Sequence, residues 1–142
     1  MKTARLAVLA AAALSACGAP EPRIGKLALV DAAGSGEVVV ARPSAFIAEE
    51  FPFYVAVNDE NVAALHARQH IRFRLAAGEQ RIAIRCPNML QSDLNERVTT
   101  QRVVAGQTLY LSVTPQGNCA SIEPVSEPQG RKLVSSTLFR PL

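Results

Sequence analysis

The sequence predicts an all-β domain, an antiparallel β-sandwich of about seven strands, transthyretin-like or Ig-like. Short segments alternate apolar and polar side chains at period 2. Turn residues separate these segments at close spacing. Pro and Gly bound the β-branched runs. The 142 residues are 49% hydrophobic, 19% charged and 5% aromatic, which suits one domain with a sizeable core. With 8 Gly, 9 Pro and no Trp the chain is neither collagen-like nor of low complexity.

The first residues stand apart from the domain. Lys2 and Arg5 precede the apolar run Leu6-Ala7-Val8-Leu9-Ala10-Ala11-Ala12-Ala13-Leu14. A basic start, a short apolar stretch and small residues form the grammar of a secretory signal peptide. The run is far short of the roughly 20 residues that span a bilayer. Residues 1–16 are therefore expected to be removed. The formal charge of +3 then falls to +1, because Lys2 and Arg5 leave with the leader. A charge so small supports no argument for nucleic acid.

Leu14-Ser15-Ala16-Cys17 resembles the lipobox of bacterial lipoproteins. The resemblance implies cleavage before Cys17 and acylation of that residue. Each buried methylene contributes about 0.8 kcal/mol, so two or three chains anchor where one does not. Gly18, not Asp, follows Cys17. In that family Asp there favours the inner membrane, so the resemblance implies an outer-membrane protein facing the periplasm. Residues 17–26 read as the lipidated Cys and a tether, with Gly18-Ala19-Pro20-Glu21-Pro22-Arg23 extended. Residues 27–142 are the sandwich.

Cys86 and Cys119 remain as an even pair in an oxidising compartment. They are expected to form a disulfide, with two buried free thiols as the alternative. Two Cys alone do not complete a zinc shell.

Within the domain, residues 27–30 form a candidate first strand, and Ala32-Ala33-Gly34-Ser35-Gly36 a turn. Residues 37–42 are a β-branched strand ended by Pro43. In the strand 51–57, Phe51, Phe53, Val55 and Val57 share a face, and Pro52 places its start at an edge. A turn at 58–61 leads to a short return, 62–65. Residues 69–75 turn Ile71, Phe73 and Leu75 inward and His70, Arg72 and Arg74 outward. Ala76-Ala77-Gly78-Glu79 reads as a hairpin loop. Residues 80–86 repeat the alternation, with Ile82, Ile84 and Cys86 inward. After a loop at 87–95, residues 96–104 and 108–114 read as another hairpin, with Leu109, Leu111 and Val113 inward. Residues 118–122 are a last strand carrying Cys119. Beyond Pro124 either a short helix follows, from Gly130 to about Ser136 with Pro128 near its start, or an irregular tail.

Val40-Ala41-Arg42-Pro43, Val55-Ala56-Val57-Asn58-Asp59, Val62-Ala63-Ala64-Leu65, the strand from His70 to Gly78 and Ile82-Ala83-Ile84 together carry a resemblance. The stretch 37–86 resembles a group of small bacterial lipoproteins whose domain is classed as of unknown function. That domain is similar to carboxypeptidase-regulatory and transthyretin-like sandwiches. Ala77 departs from the pattern, which has Pro before the Gly. The resemblance implies a fold and a location and no catalytic residue.

The residues offer little chemistry. No nucleophile elbow, P-loop or dinucleotide fingerprint occurs, and Gly34-Ser35-Gly36 is too short to cradle a phosphate. His66 and His70 have an H-x₃-H spacing, but on a strand four residues span about 13 Å, too far for one ion. They are expected to be solvated or cross-strand histidines. Glu49 and Glu50 are read as a solvated loop. No catalytic residue, metal ligand or cofactor is assigned, and the chain is not read as an enzyme.

One constellation carries information. If 69–75 and 80–86 pair as a hairpin, Arg74 faces Arg81 and His70 faces Arg85, with Arg72 between. Like charges opposite each other are unfavourable on a sheet, so an acid such as Glu96 or an external anion should compensate. Arg72, Arg74, Arg81 and Arg85 are therefore either a solvated, ion-paired face or a patch for an acidic envelope protein, a lipid headgroup or peptidoglycan. The sequence reads best as a non-enzymatic binding or interaction module anchored to the membrane. The alternative is a structural lipoprotein subunit of an envelope secretion or assembly machine.

Overall fold

The computed structural model describes residues 22–28, 30–44, 48–87 and 95–142. Among them nine strands and one helix build a two-layer β-sandwich. The strands are β1 (Ser35–Arg42), β2 (Phe53–Val57), β3 (Glu60–Leu65), β4 (Gln69–Ala76), β5 (Gly78–Cys86), β6 (Asn95–Val103), β7 (Thr108–Gln116), β8 (Cys119–Val125) and β9 (Leu138–Phe139). Helix α1 (Glu127–Ser135) precedes β9. One sheet has the order β8-β7-β1-β4-β9 and the other β3-β2-β5-β6. No helix among the described residues is long and apolar enough to cross a membrane.

The sandwich is as expected, but it is not wholly antiparallel. β1 runs parallel to β7, and β4 parallel to β9. β1 is the central strand of its sheet. Its run Val38-Val39-Val40-Ala41 is buried on both faces, as a continuous apolar run requires. Residues 27, 28 and 30, expected as a first strand, carry no strand.

The inward phases are met. Ile71, Phe73 and Leu75 of β4 and Ile82, Ile84 and Cys86 of β5 lie in one core with Leu111 and Val113 of β7. Phe51 departs from its expected face and is exposed before β2 begins.

The pairing of two expected hairpins is corrected. β4 does not pair with β5: β4 pairs with β1 and β9, and β5 pairs with β2 and β6. Ala76 still pairs with Ser35 in one sheet, and Gly78 already pairs with Val103 in the other. A single residue, Ala77, turns the corner, and Gly78 takes φ +126°, a conformation open to glycine. β6 and β7 likewise belong to different sheets. Consecutive strands pair antiparallel at β2–β3, β5–β6 and β7–β8. The β2–β3 loop is Asn58-Asp59, both at positive φ, the backbone that a tight two-residue hairpin needs.

α1 starts at Glu127, three residues before the expected start. Ser126 and Gln129 form its capping box, and Pro128 lies in its first turn. Gly130 is buried against the Tyr110 ring, and a Cβ there would overlap that ring. The helix thus packs on the outer face of the β1–β7 pair.

Two latches hold the layers together. The first is the expected disulfide: Cys86 of β5 is bonded to Cys119 of β8, with Cα atoms 5.2 Å apart. The second is Arg42, at the end of β1 and fully buried. Its Nη1 donates to the carbonyls of Phe51 (2.6 Å) and Leu65 (3.0 Å), and its Nη2 to that of Ala48. Its guanidinium lies 3.8 Å over the Phe53 ring. Burial pushes its pKa down to about 10, with Glu49 opposing, so it stays charged at neutral pH.

Replacing Cys86 and Cys119 together by Ala is expected to lower stability by roughly 3–4 kcal/mol, because a loop of this length is released in the unfolded chain. Urea unfolding measures it, and an unchanged midpoint would show that the bond contributes nothing. Arg42→Met keeps the volume but leaves the Phe51 and Leu65 carbonyls without their donor. It is expected to cost on the order of 3 kcal/mol. Arg42→Lys should recover only part, since an ammonium lacks the planar fork. Equal stability of Arg42→Met and wild type would show that those carbonyls find other donors.

Candidate functional site

The correction of the β4–β5 pairing separates the four arginines. Arg72 and Arg74 lie on the outer face of one sheet, Arg81 and Arg85 on the outer face of the other. Their phase is outward as expected, but they do not form one patch. Arg74 faces Glu37 and not Arg81, and His70 faces Ala41 and not Arg85.

Acids meet three of the four. Arg81 and Arg85 share Glu96, at 3.5 Å and 3.2 Å, and Arg81 also pairs with Asp59. Arg85 donates to Asn61 Oδ1 at 2.9 Å. Beside them Ala56 and Ala83 are paired in register and buried, although both are on the outer face. Arg72 lies 3.6 Å from Glu37. Arg74 alone of the four has no acidic partner among the described residues; its Nη1 donates to Ser35 Oγ at 3.4 Å. Ion pairs so exposed contribute about 0–1 kcal/mol each. They neutralise the outer faces more than they stabilise the fold.

His70 is a cross-strand histidine as expected, but its partner strand is β9 and not β5. It is buried, its Nδ1 lies 2.9 Å from Thr137 Oγ1, and its ring contacts Phe139 at 5.7 Å between centroids. β9 therefore covers it. Burial, then the nearby Arg72, holds its pKa below the ordinary value, against the opposing Thr137 contact. His66 is half-buried, and burial, then Arg140 and Arg42, lowers it too. No group of three or more metal-ligating side chains converges among the described residues. Glu49 is held by Arg68 at 2.6 Å. Cys17 and the leader lie outside the described residues.

The feature that sequence reasoning missed is a cleft. It has a volume of 550 Å³ and opens on the flank where β3 faces β4. Its apolar walls are Ile24, Leu27, Val30, Val62, Phe73 and Leu142. Residues 22–28 and 30 cross this flank, tied down where Gly25 N donates to the Asn61 carbonyl at 2.7 Å. Lys26 and Arg74 are its charged lining residues among those described, and the Glu60 side chain lies against Gly25 of the same wall. A smaller hollow of 270 Å³ adjoins it and shares Lys26, Leu27, Val62 and Arg74. The volume falls in the roughly 300–1,000 Å³ range of small-molecule sites. The walls come from parts of the chain far apart in sequence, and only the outward phase of Arg74 hinted at them. Compared with protein-family models, curated proteins and solved structures, the chain finds no match in any of the three.

The histidines give a pH dependence. The fold holds both below 6.5, while in the unfolded chain they protonate near 6.5. The unfolded state thus binds more protons just below that pH. Stability is expected to be full above about pH 6.5 and to fall as the pH drops through the window beneath it. Urea midpoints at successive pH values check this. A His66→Gln, His70→Gln double variant should flatten that part of the profile, and an unaltered slope would refute the assignment.

Proposed function

We propose that the protein is a non-enzymatic binding module of the bacterial cell envelope, held by lipid on Cys17 to the outer membrane and facing the periplasm. The observation that carries the binding role is the apolar cleft, with Lys26 and Arg74 in its lining. The leader, the Leu-Ser-Ala-Cys motif and the resemblance over 37–86 support the location. The disulfide suits an oxidising compartment. The tether and the site are continuous, since residues 24–28 are themselves cleft wall. A ligand in the cleft is therefore met next to the anchored end of the domain. Acids beside Arg72, Arg81 and Arg85 compensate those three arginines.

Mass spectrometry of the N-terminal peptide tests the anchor. The expected result is a chain that begins at an acylated Cys17, and an unmodified Cys17 would overturn it. Cys17→Ser should move the protein from the membrane to the soluble fraction. Its unfolding midpoint should not change, because Cys17 precedes the folded domain.

A further inference from the structure

We propose that the flank bearing the cleft is a membrane-docking face that lies on the surface of an anionic phospholipid bilayer. This rests on the reading of a lipid-anchored module and names what its cleft flank meets. Three observations point to that partner.

Exposed apolar side chains are the first. Among the described residues seven large apolar side chains are exposed, and four of them are Ile24 (48%), Leu138 (73%), Phe139 (57%) and Leu142 (58%). These four come from two segments far apart in sequence and meet on one flank. Leu138 and Phe139 lie alongside Gln69 and His70 at the edge of β4. From there the chain runs on to Leu142, which lines the cleft together with Ile24 and Phe73. A grouping of exposed apolar side chains marks a protein or membrane contact. Leu138 and Phe139 do not line the cleft. A small molecule in the cleft would leave both in water, whereas a lipid surface laid across the flank covers all four. β9 is only two residues long, so this edge offers little backbone to a partner strand.

The second is the charge set among them. Arg23 and Lys26, both exposed, come on either side of Ile24 in the chain. Arg140 comes between Phe139 and Leu142, and its backbone N–H donates to the His70 carbonyl at 2.8 Å. Arg74 lines the cleft. Glu60, against Gly25, and Glu37, opposite Arg74, offset part of this charge. Basic groups placed around an apolar surface suit an anionic interface, which takes the apolar groups at the headgroup boundary and the cations at the phosphates.

Placement is the third. Ile24 follows Cys17 by seven residues, a reach of ~25 Å at full extension. With Cys17 acylated, this flank never leaves the neighbourhood of the bilayer. Acyl chains joined to a basic, apolar face hold more firmly than either does alone.

Vesicle flotation of the mature chain, residues 17–142 with Cys17→Ser, tests the proposal, since neither leader nor lipid then contributes. The expected result is binding to vesicles of equal parts phosphatidylglycerol and phosphatidylcholine. It should be at least tenfold stronger than to pure phosphatidylcholine and should weaken as salt is added. The double variant Leu138→Asp, Leu142→Asp should lose at least tenfold, and so should Arg23→Glu, Lys26→Glu. Arg97→Glu, Arg102→Glu makes the same change of charge on β6, the strand at the other edge of the sheet from β3, and should bind as before. All six substituted residues are exposed, and circular dichroism confirms folding of each variant. Absence of binding to the anionic vesicles overturns the proposal. Equal binding to pure phosphatidylcholine, unchanged binding in the leucine variant, or an equal loss in the β6 variant also overturns it. A dimer in sedimentation that the leucine variant breaks, without vesicle binding, overturns it in favour of a second copy of the chain. The two readings fail separately: an unlipidated Cys17 with vesicles bound overturns only the anchor. A lipidated Cys17 with no vesicles bound by the Cys17→Ser chain overturns only the docking face.

Discussion

A single guanidinium organises one end of this sandwich. Arg42 sits at the end of the central strand of one sheet, yet its acceptors belong to the start and finish of the β2–β3 unit in the other. A buried charge is tolerated only when its protons are taken up. Here backbone carbonyls and the Phe53 ring do so, and only Nε is without a partner. The pairing of Tyr54 with Arg85 puts Phe53 level with Cys86. The arginine and the disulfide therefore latch the same end of the sandwich, one at its middle and one at its flank. The cleft lies along the β3–β4 flank.

The alternation of β4 and β5 told inside from outside correctly at every position from Ile71 to Leu75 and from Ile82 to Cys86. It could not tell which strand lies alongside. In a hairpin the two inward faces are coplanar, and in a sandwich corner they oppose each other across the core. Both give the same period-2 pattern. The disulfide was legible because it depends on phase and redox chemistry and not on pairing. Arg42 read as a mere strand end. Its signal was the unbroken Val38–Ala41 run before it, which marks a strand buried on both faces and so a charge with no route to water. The cleft was not legible, because Ile24, Val62, Phe73 and Leu142 have no local pattern in common.

The same topology explains the quiet outer surfaces. Had β4 and β5 paired, Arg74 would have faced Arg81 at close range. Dividing them between two sheets removes that repulsion and lets Glu37 and Glu96 serve as cross-strand partners. The cost of a corner at Ala77-Gly78 is confined to one residue pair. In return each outer face carries its own compensating acids.

The parallel pairing of β1 with β7 has a kinetic consequence. β4 can cover one side of β1 early, since Arg42 and Gln69 are nearer along the chain than any β1–β7 pair. The other side waits for β7, whose Thr108 pairs with Glu37 across a separation of 71 residues. Closing so long a loop is slow, and parallel pairing adds to the delay. As the chain emerges N-terminus first, Val38-Val39-Val40-Ala41 stands with one edge unpaired until the β7–β8 hairpin arrives. An uncovered apolar strand edge is a template for other chains. Between the synthesis of Leu75 and that of Gln116 one edge of β1 is therefore open to other chains. A chaperone or a translocation channel that shields β1 during that interval would govern yield without altering the final stability.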